Sequence, residues 1–375
     1  MEEVRDWAAE RLDEIVDDLA VLVDTETPST DSVLLADGRA VLTGWVLESW
    51  TDAAASTLPG PVLQVDTPGS LPGTVVLLGH IDTVFDAGTV ARRPFSVTDG
   101  IARGPGVFDM KAGLVQGVSA VAALDALGIP RPTVRLIVNE DEEVGTVASR
   151  DAMVAAATGC TAVLVLEPGA EAGTVKTARK GVGLWQVAAT GVAAHAGLDP
   201  EAGSSAVHAL AALTCHLVGL ADPAAGTTVN VGVLAGGTRA NVVAEHARLE
   251  IDVRARTASE AERVGSALAA WAPPDPRVRL HVTGGWNRPP WQASATWLVD
   301  RARAVTASLG VPFDAREVGG GSDGNILAAA GLPVLDGLGA SGGGAHAEHE
   351  YVVLDDLPVR IALLAGLVAG SPPAR

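Results

Sequence analysis

Apolar positions along the first eighty residues change period twice. Over 3–23, Val4, Trp7, Ala8, Leu12, Ile15, Val16, Leu19, Leu22 and Val23 recur at helical spacing and predict one amphipathic helix. A turn around Pro28 follows, then a second helix within 36–54 and a strand near 61–66. The run Val75-Val76-Leu77-Leu78-Gly79 is apolar without alternation, as expected of a strand buried on both faces. That strand, read as 74–82, ends in His80 and Asp82, which at i and i+2 would point to one side. A paired imidazole and carboxylate at the end of a buried strand is costly unless the pair binds something.

The same grammar continues downstream. Gly104-Pro105-Gly106-Val107-Phe108-Asp109-Met110-Lys111-Ala112-Gly113 is a glycine-punctuated loop opening an alanine-rich helix over 113–127. A strand at 133–139 ends in Asn139-Glu140-Asp141-Glu142-Glu143. A helix over 147–157 and a strand over 161–166 follow, the strand ending in Glu167-Pro168. Strands alternating with helices, several finishing in acidic residues, predict an α/β sheet with a ligand site at one end of its strands. After Lys180 the pattern changes. Strand 182–192, helix 203–220, strands 227–234 and 242–255, helix 258–271 and strand 277–283 give the β-α-β-β-α-β order of a ferredoxin-like α+β domain. From Arg288 the α/β pattern resumes with helix 294–309, a turn at 319–321, helix 323–330, strand 333–338 and helix 354–368. The expected organisation is one discontinuous domain, 1–180 and 287–375, interrupted by a second, 181–286.

Composition narrows the partners. The chain has 375 residues and is 48% hydrophobic, enough for two cores. Its formal net charge of −19 argues against nucleic acid or an anionic membrane surface as partner, and is no obstacle to cations. Cys160 and Cys215 form no zinc-thiolate pattern and no disulfide framework. The N-terminus lacks a signal-peptide core and no apolar run approaches transmembrane length, which leads us to expect a soluble, cytoplasmic protein.

The ionisable groups at strand ends and in glycine-rich turns are His80, Asp82, Asp109, Glu142, Glu143, Glu167 and His346. Each alone has an ordinary structural role open to it, as a helix-terminal charge, a solvated loop residue or a satisfied core histidine. Together they offer two imidazoles and three carboxylates for metal, with two carboxylates left to orient a ligand and to act as a base. That is the inventory of a dinuclear metal site with nitrogen and oxygen ligands.

At this point the chain resembles the M20 family of dinuclear zinc amidohydrolases, most of all its glutamate carboxypeptidase branch. The motifs are Gly79-His80-Ile81-Asp82-Thr83-Val84, Gly104-Pro105-Gly106-Val107-Phe108-Asp109-Met110-Lys111-Ala112-Gly113, Asp141-Glu142-Glu143-Val144-Gly145, Leu166-Glu167-Pro168 and Ala345-His346-Ala347-Glu348-His349-Glu350-Tyr351-Val352. The resemblance implies a catalytic domain with a central mixed sheet flanked by helices, zinc-exopeptidase-like, and an inserted ferredoxin-like dimerisation or lid domain. It implies two divalent ions per chain, zinc by family, bridged by Asp109, with His80 and Glu167 on one and Glu143 and His346 on the other. Asp82 would orient His80, and Glu142 would be the general base acting on a metal-bridging water. Glu140 is the nearby rival for that role. The resemblance also implies a cis peptide bond between Asp109 and Met110.

In the inserted domain, His195 matches a histidine that crosses the family's dimer to polarise the scissile carbonyl. Asn241 resembles a substrate-contacting asparagine, Arg288 an arginine that binds the substrate carboxylate, and Gly320-Gly321 a backbone loop along the substrate. Three features depart from the family pattern: Met110, Arg179-Lys180, and His349, which stands as a possible rival ligand. Trp286 and Trp291 beside Arg288 are open to either packing or a substrate pocket.

The expectation is a homodimeric dizinc hydrolase, paired through 181–286, that cleaves an amide in a peptide or N-acyl amino acid and releases an amino acid with a free carboxylate. An N-acyl-amino-acid deacylase or dipeptidase with the same centre is the alternative. A metal- or ligand-binding relative without catalysis is the reading from another class, and the intact Glu142 speaks against it. A dinucleotide-binding enzyme is disfavoured because no G-x-G-x-x-G follows the first strand.

Overall fold

In the computed structural model, which describes residues 1–370, the chain forms two units. The first comprises Met1–Ala178, Gln292–Glu317 and 322–370. It is a mixed α/β unit around a six-stranded sheet ordered Ala54–Thr57, Val62–Thr67, Pro132–Asn139, Leu71–His80, Ala162–Val165, Val334–Leu335. The first three strands pair antiparallel, and the other three joins are parallel. The central strands bear continuous buried runs, Val75–Leu78, Leu136–Val138 and Ala162–Val165, because helices cover both faces of a sheet connected in this way. Register decides where the chemistry gathers. His80 lies opposite Asn139 and Leu78 opposite Val165, so the residues that follow these three strands emerge side by side.

Two helices, Ala112–Ala126 and Leu357–Val368, are buried almost all round and pack against each other. Val107–Ala126 is long and apolar enough, by length and composition, to cross a membrane, contrary to the expectation that no apolar run reaches that length. Only three charges, Asp109, Lys111 and Asp125, break an otherwise apolar stretch, and 89% of its most apolar 18-residue window is buried within the protein. Regular helix begins only at Ala112, because Asp109 and Met110 have non-helical backbone angles and the bond between them is cis, as the family resemblance implied.

Several elements differ from the sequence pattern. The expected helix over 3–23 is two helices, Glu2–Glu10 and Leu12–Asp24, broken at Arg11. The strand read as 74–82 stops at His80, so Asp82 lies beyond it. Strand Ala54–Thr57 and the hairpin of Ser96–Thr98 with Ile101–Arg103 went unpredicted, the first because all four of its residues are exposed and carry no alternation. That hairpin joins Tyr351–Val353, with Tyr351 opposite Arg103.

The second unit comprises Arg179–Trp291 and Val318–Gly321. Its sheet runs Thr228–Gly236, His246–Ala255, Gly181–Thr190, Arg279–Arg288, antiparallel throughout, with helices Ala206–Val218 and Ala258–Ala270 in the β-α-β-β-α-β order. Alternation along Leu184–Ala189, exposed then buried, sets one face against the helices through Trp185, Val187 and Ala189. The last strand runs past residue 286, with Arg288 opposite Val182, and Lys180 donates to the Val318 carbonyl at 3.1 Å. Residues 287–291 and 318–321 therefore group with this unit rather than with the first.

Candidate metal centre

Three chain segments emerge from adjacent parallel strand ends, and two loops come to meet them. Two glycines permit the approach. A Cβ on Gly113 would lie 2.0 Å from the Leu166 carbonyl oxygen, and one on Gly79 would lie 2.7 Å from Leu114 Cδ2. Without side chains there, the start of helix Ala112–Ala126 sits directly on the strand ends, and Asp109 just ahead of it reaches His80.

The structure brings together all five expected ligands, in two groups that share Asp109. His80, Asp109 and Glu167 form one, and Asp109, Glu143 and His346 the other, with the ligand atoms of each group within 4.8 Å of one another. His80 Nε2 lies 3.3 Å from Asp109 Oδ1 and 3.8 Å from Glu167 Oε1. His346 Nε2 lies 3.3 Å from Asp109 Oδ2 and 3.1 Å from Glu143 Oε2. His346 is held in the left-handed region at φ 64°, uncommon for a residue with a side chain. Burial would lower the His80 pKa, but the Asp109 and Asp82 carboxylates drive it well above its ordinary value. Asp109 and Glu143 push His346 up to about 10. Burial works to raise Asp109, and the two imidazoles overcome it and hold that carboxyl far below the usual range. A bound cation would compete with protons for these imidazoles.

The donor set fits a divalent metal. His80 Nε2 and Asp109 Oδ1 are buried, face each other and have no hydrogen-bond partner. Imidazole and carboxylate without thiolate suits zinc and its first-row neighbours.

Asp82 is fully buried and does more than steady an imidazole. His80 Nδ1 donates to the Asp82 backbone carbonyl at 3.0 Å and lies 3.4 Å from Oδ1. The same carboxylate accepts from the backbone N–H groups of Glu142 and Glu143, both at 3.2 Å, and from Ser29 Oγ at 2.8 Å. Glu142 and Glu143 sit in a turn beyond strand Pro132–Asn139, closed by Gly145 donating to the Glu142 carbonyl at 2.9 Å. Glu142 is 8% exposed. Glu140, the rival base, is ion-paired with Arg39. His349 is exposed and belongs to neither ligand group. Sequence reasoning missed Ser29, whose partner lies 53 positions away and which carried no pattern of its own.

The remaining site residues lie in the second unit. His195 is exposed, and its Nδ1 accepts from the backbone N–H groups of Gly197 and Leu198, both at 3.1 Å. The neutral ring therefore carries its proton on Nε2. Ala196 donates to the Asn241 carbonyl at 3.0 Å, so His195 and Asn241 share one corner. Arg288 is buried and lines up with Gly321, where a Cβ would meet Arg288 Cδ at 2.9 Å. Arg179, which departs from the family pattern, holds this loop by donating to the Gly320 and Gly321 carbonyls at 3.3 and 3.2 Å. Trp286 packs edge-on to Trp185 and donates to the Ala261 carbonyl, and Trp291 is buried, so both are packing residues.

The model of peptidase family M20/M25/M40 matches residues 76–370. Carboxypeptidase G2 of Pseudomonas sp. (strain RS-16) is 30% identical over 369 residues, covering 94% of this chain and 88% of that protein. The acetylornithine deacetylase of Photorhabdus laumondii is 27% identical over 57% of this chain and 59% of its own. Among solved structures, aminopeptidase PepT from Bacillus cereus aligns with a TM-score of 0.78 at 20% identity, covering 96% of this chain and 98% of that one. The match to the family model spans most of the chain and takes in every residue of the two ligand groups, so the protein belongs to peptidase family M20/M25/M40 and is a metal-dependent hydrolase.

Proposed function

We propose that the chain hydrolyses an amide bond next to a free carboxylate and releases an amino acid, as a carboxypeptidase does. The observation that carries this reading is the sharing of Asp109: Oδ1 faces His80 and Oδ2 faces His346. His80, Asp109 and Glu167 would hold one divalent ion and Asp109, Glu143 and His346 a second, both zinc. Bound there, the pair supplies Lewis acidity that lowers the pKa of water toward ~7 and polarises a carbonyl.

The chain's own residues do the rest. Asp82 fixes the His80 ring and the Glu142–Glu143 backbone with one side chain. Glu142 takes the proton of the attacking water on its carboxylate and hands it to the leaving nitrogen. His195, with its Nε2–H directed away from the backbone it accepts from, donates to the oxygen that gains charge on the substrate carbonyl. We place it in the partner's site of a homodimer formed through 181–286. Arg288, Asn241 and the Gly320–Gly321 backbone bind the substrate, Arg288 its carboxylate.

The name of carboxypeptidase G2, similar over 94% of this chain, supports the peptide reading. Similarity to an acetylornithine deacetylase keeps N-acyl amino acids as the second reading. Release of free amine from a panel of dipeptides and N-acyl amino acids, with and without chelator, tests both. Hydrolysis restricted to substrates with a free carboxylate and abolished by chelator is expected. Turnover indifferent to chelator, or equal on substrates whose carboxylate is amidated, would sink the proposal.

A further inference from the structure

A carboxylate outside both ligand groups holds the loop that presents Asp109. Glu350 is 1% exposed. Its Oε1 accepts from the backbone N–H groups of Phe108 and Asp109 at 2.8 and 2.9 Å, and its Oε2 accepts from Gly106 at 3.0 Å. Three backbone N–H groups converging on one buried carboxylate form a cradle that a neutral amide would fill poorly, since its nitrogen would face a donor. Glu350 itself is not free to wander. Its N–H donates to the Ala347 carbonyl at 3.1 Å, and Ala347 donates to Gly344 at 2.9 Å. Tyr351, next along the chain, lies opposite Arg103 in the strand that leads into the Asp109 loop.

Glu350 is thus clamped to the turn that carries His346 at one end and to the loop that carries Asp109 at the other. Both residues belong to the same ligand group. We propose that Glu350 is a positioning residue of the metal centre: its carboxylate sets the Asp109 loop against the His346 turn, and metal affinity depends on that spacing. The inference rests on the metal roles given above to Asp109 and His346.

The test uses the full chain and reads metal affinity, by competition with a chromophoric chelator, beside the melting temperature of the metal-free protein. Glu350→Gln is compared with Leu363→Ala, a buried core substitution outside both ligand groups that sets the scale of general destabilisation. Glu350→Gln is expected to weaken metal binding about 10–100-fold, as loss of an outer partner of a ligand does. Leu363→Ala should leave affinity unchanged at an equal or larger loss of melting temperature. At saturating metal, Glu350→Gln should lower kcat with little change in KM. Should the Gln variant fail to fold, Glu350→Asp keeps the charge but withdraws it by one methylene, and the same loss of affinity is expected. Wild-type affinity in the variant that folds, or an equal loss in Leu363→Ala, would overturn the inference. A wild-type chain that binds no metal would instead overturn the reading on which it stands, and the two failures are told apart by the wild-type titration alone.

Discussion

The carboxylate of Asp82 accepts a hydrogen bond from the backbone N–H of Glu142 at 3.2 Å while lying 3.4 Å from the His80 ring. The orientation of the proposed metal ligand His80 and the placement of the proposed general base Glu142 therefore hang on one side chain. Asp82→Asn retains the shape but offers an amide nitrogen to one of the two backbone donors, and to the imidazole or the Ser29 hydroxyl beside it. It should weaken metal binding about 10–100-fold and lower turnover at saturating metal as well. Elemental analysis and steady-state kinetics check the two effects separately, and loss of metal with wild-type kcat after reloading would remove the link to Glu142.

Glu142 and Glu143 are adjacent, and the proposed mechanism gives them different work. Glu142→Gln should keep its metal and lose turnover by ~10²–10⁴. Glu143→Gln, which removes a ligand atom 3.1 Å from His346 Nε2, should lose metal. Metal content measured beside kcat separates them. Near-normal turnover in Glu142→Gln would hand the proton transfer to another group.

Protein prepared without chelator should carry about two divalent ions per chain, zinc foremost. Dialysis against a strong chelator should abolish activity, and added zinc should restore it. Activity persisting in protein shown to be metal-free contradicts the assignment.

What the sequence made legible was local. An apolar run ending in His80, a glycine loop delivering Asp109 and a strand end delivering Glu142 and Glu143 each sit within a dozen residues, where periodicity and turn chemistry speak directly. What it hid was long-range. The bonds of Asp82 to the backbone of residues 142 and 143, of Ser29 to Asp82, and of Glu350 to residues 106–109 join segments with no pattern in common. The break at Arg11 was missed because Ala9, Glu10, Arg11 and Leu12 all favour helix and give no sign of it, and the strand Ala54–Thr57 because its exposed residues carry no alternation.

His195 offers a test of assembly. One chain carrying Glu142→Gln and another carrying His195→Ala should each be nearly inactive. If His195 serves the partner's site, subunit exchange leaves half of the pockets in mixed dimers with both residues intact, and random pairing restores roughly a quarter of wild-type sites. No recovery, with exchange verified by mass, places His195 in its own chain's site or outside catalysis.

Arg360 is fully buried in helix Leu357–Val368 and donates to backbone carbonyls of Gly339, Thr174 and Ala172 at 2.7, 2.7 and 3.2 Å. Burial lowers its pKa to about 10, so it remains charged at neutral pH. Arg360→Met leaves those carbonyls without their donor. The loss should reach about 3 kcal/mol or more in urea unfolding. A variant as stable as wild type would mean that water or a rearranged loop satisfies them.

The second unit is inserted within the first, and this sets an order of events during synthesis. When the ribosome reaches residue 291, every strand and helix of the ferredoxin-like sheet has been made, and its antiparallel pairing can begin. The first unit at that moment has five of its six sheet strands but lacks Val334–Leu335, and helix Ala112–Ala126 has an open flank where Leu357–Val368 will lie. His346 and Glu350 are made only after the insertion. The nascent chain therefore exposes one apolar face of that helix until residues 357–368 are made, and the segments before the insertion wait on those after it both for their core and for His346, the second candidate histidine ligand.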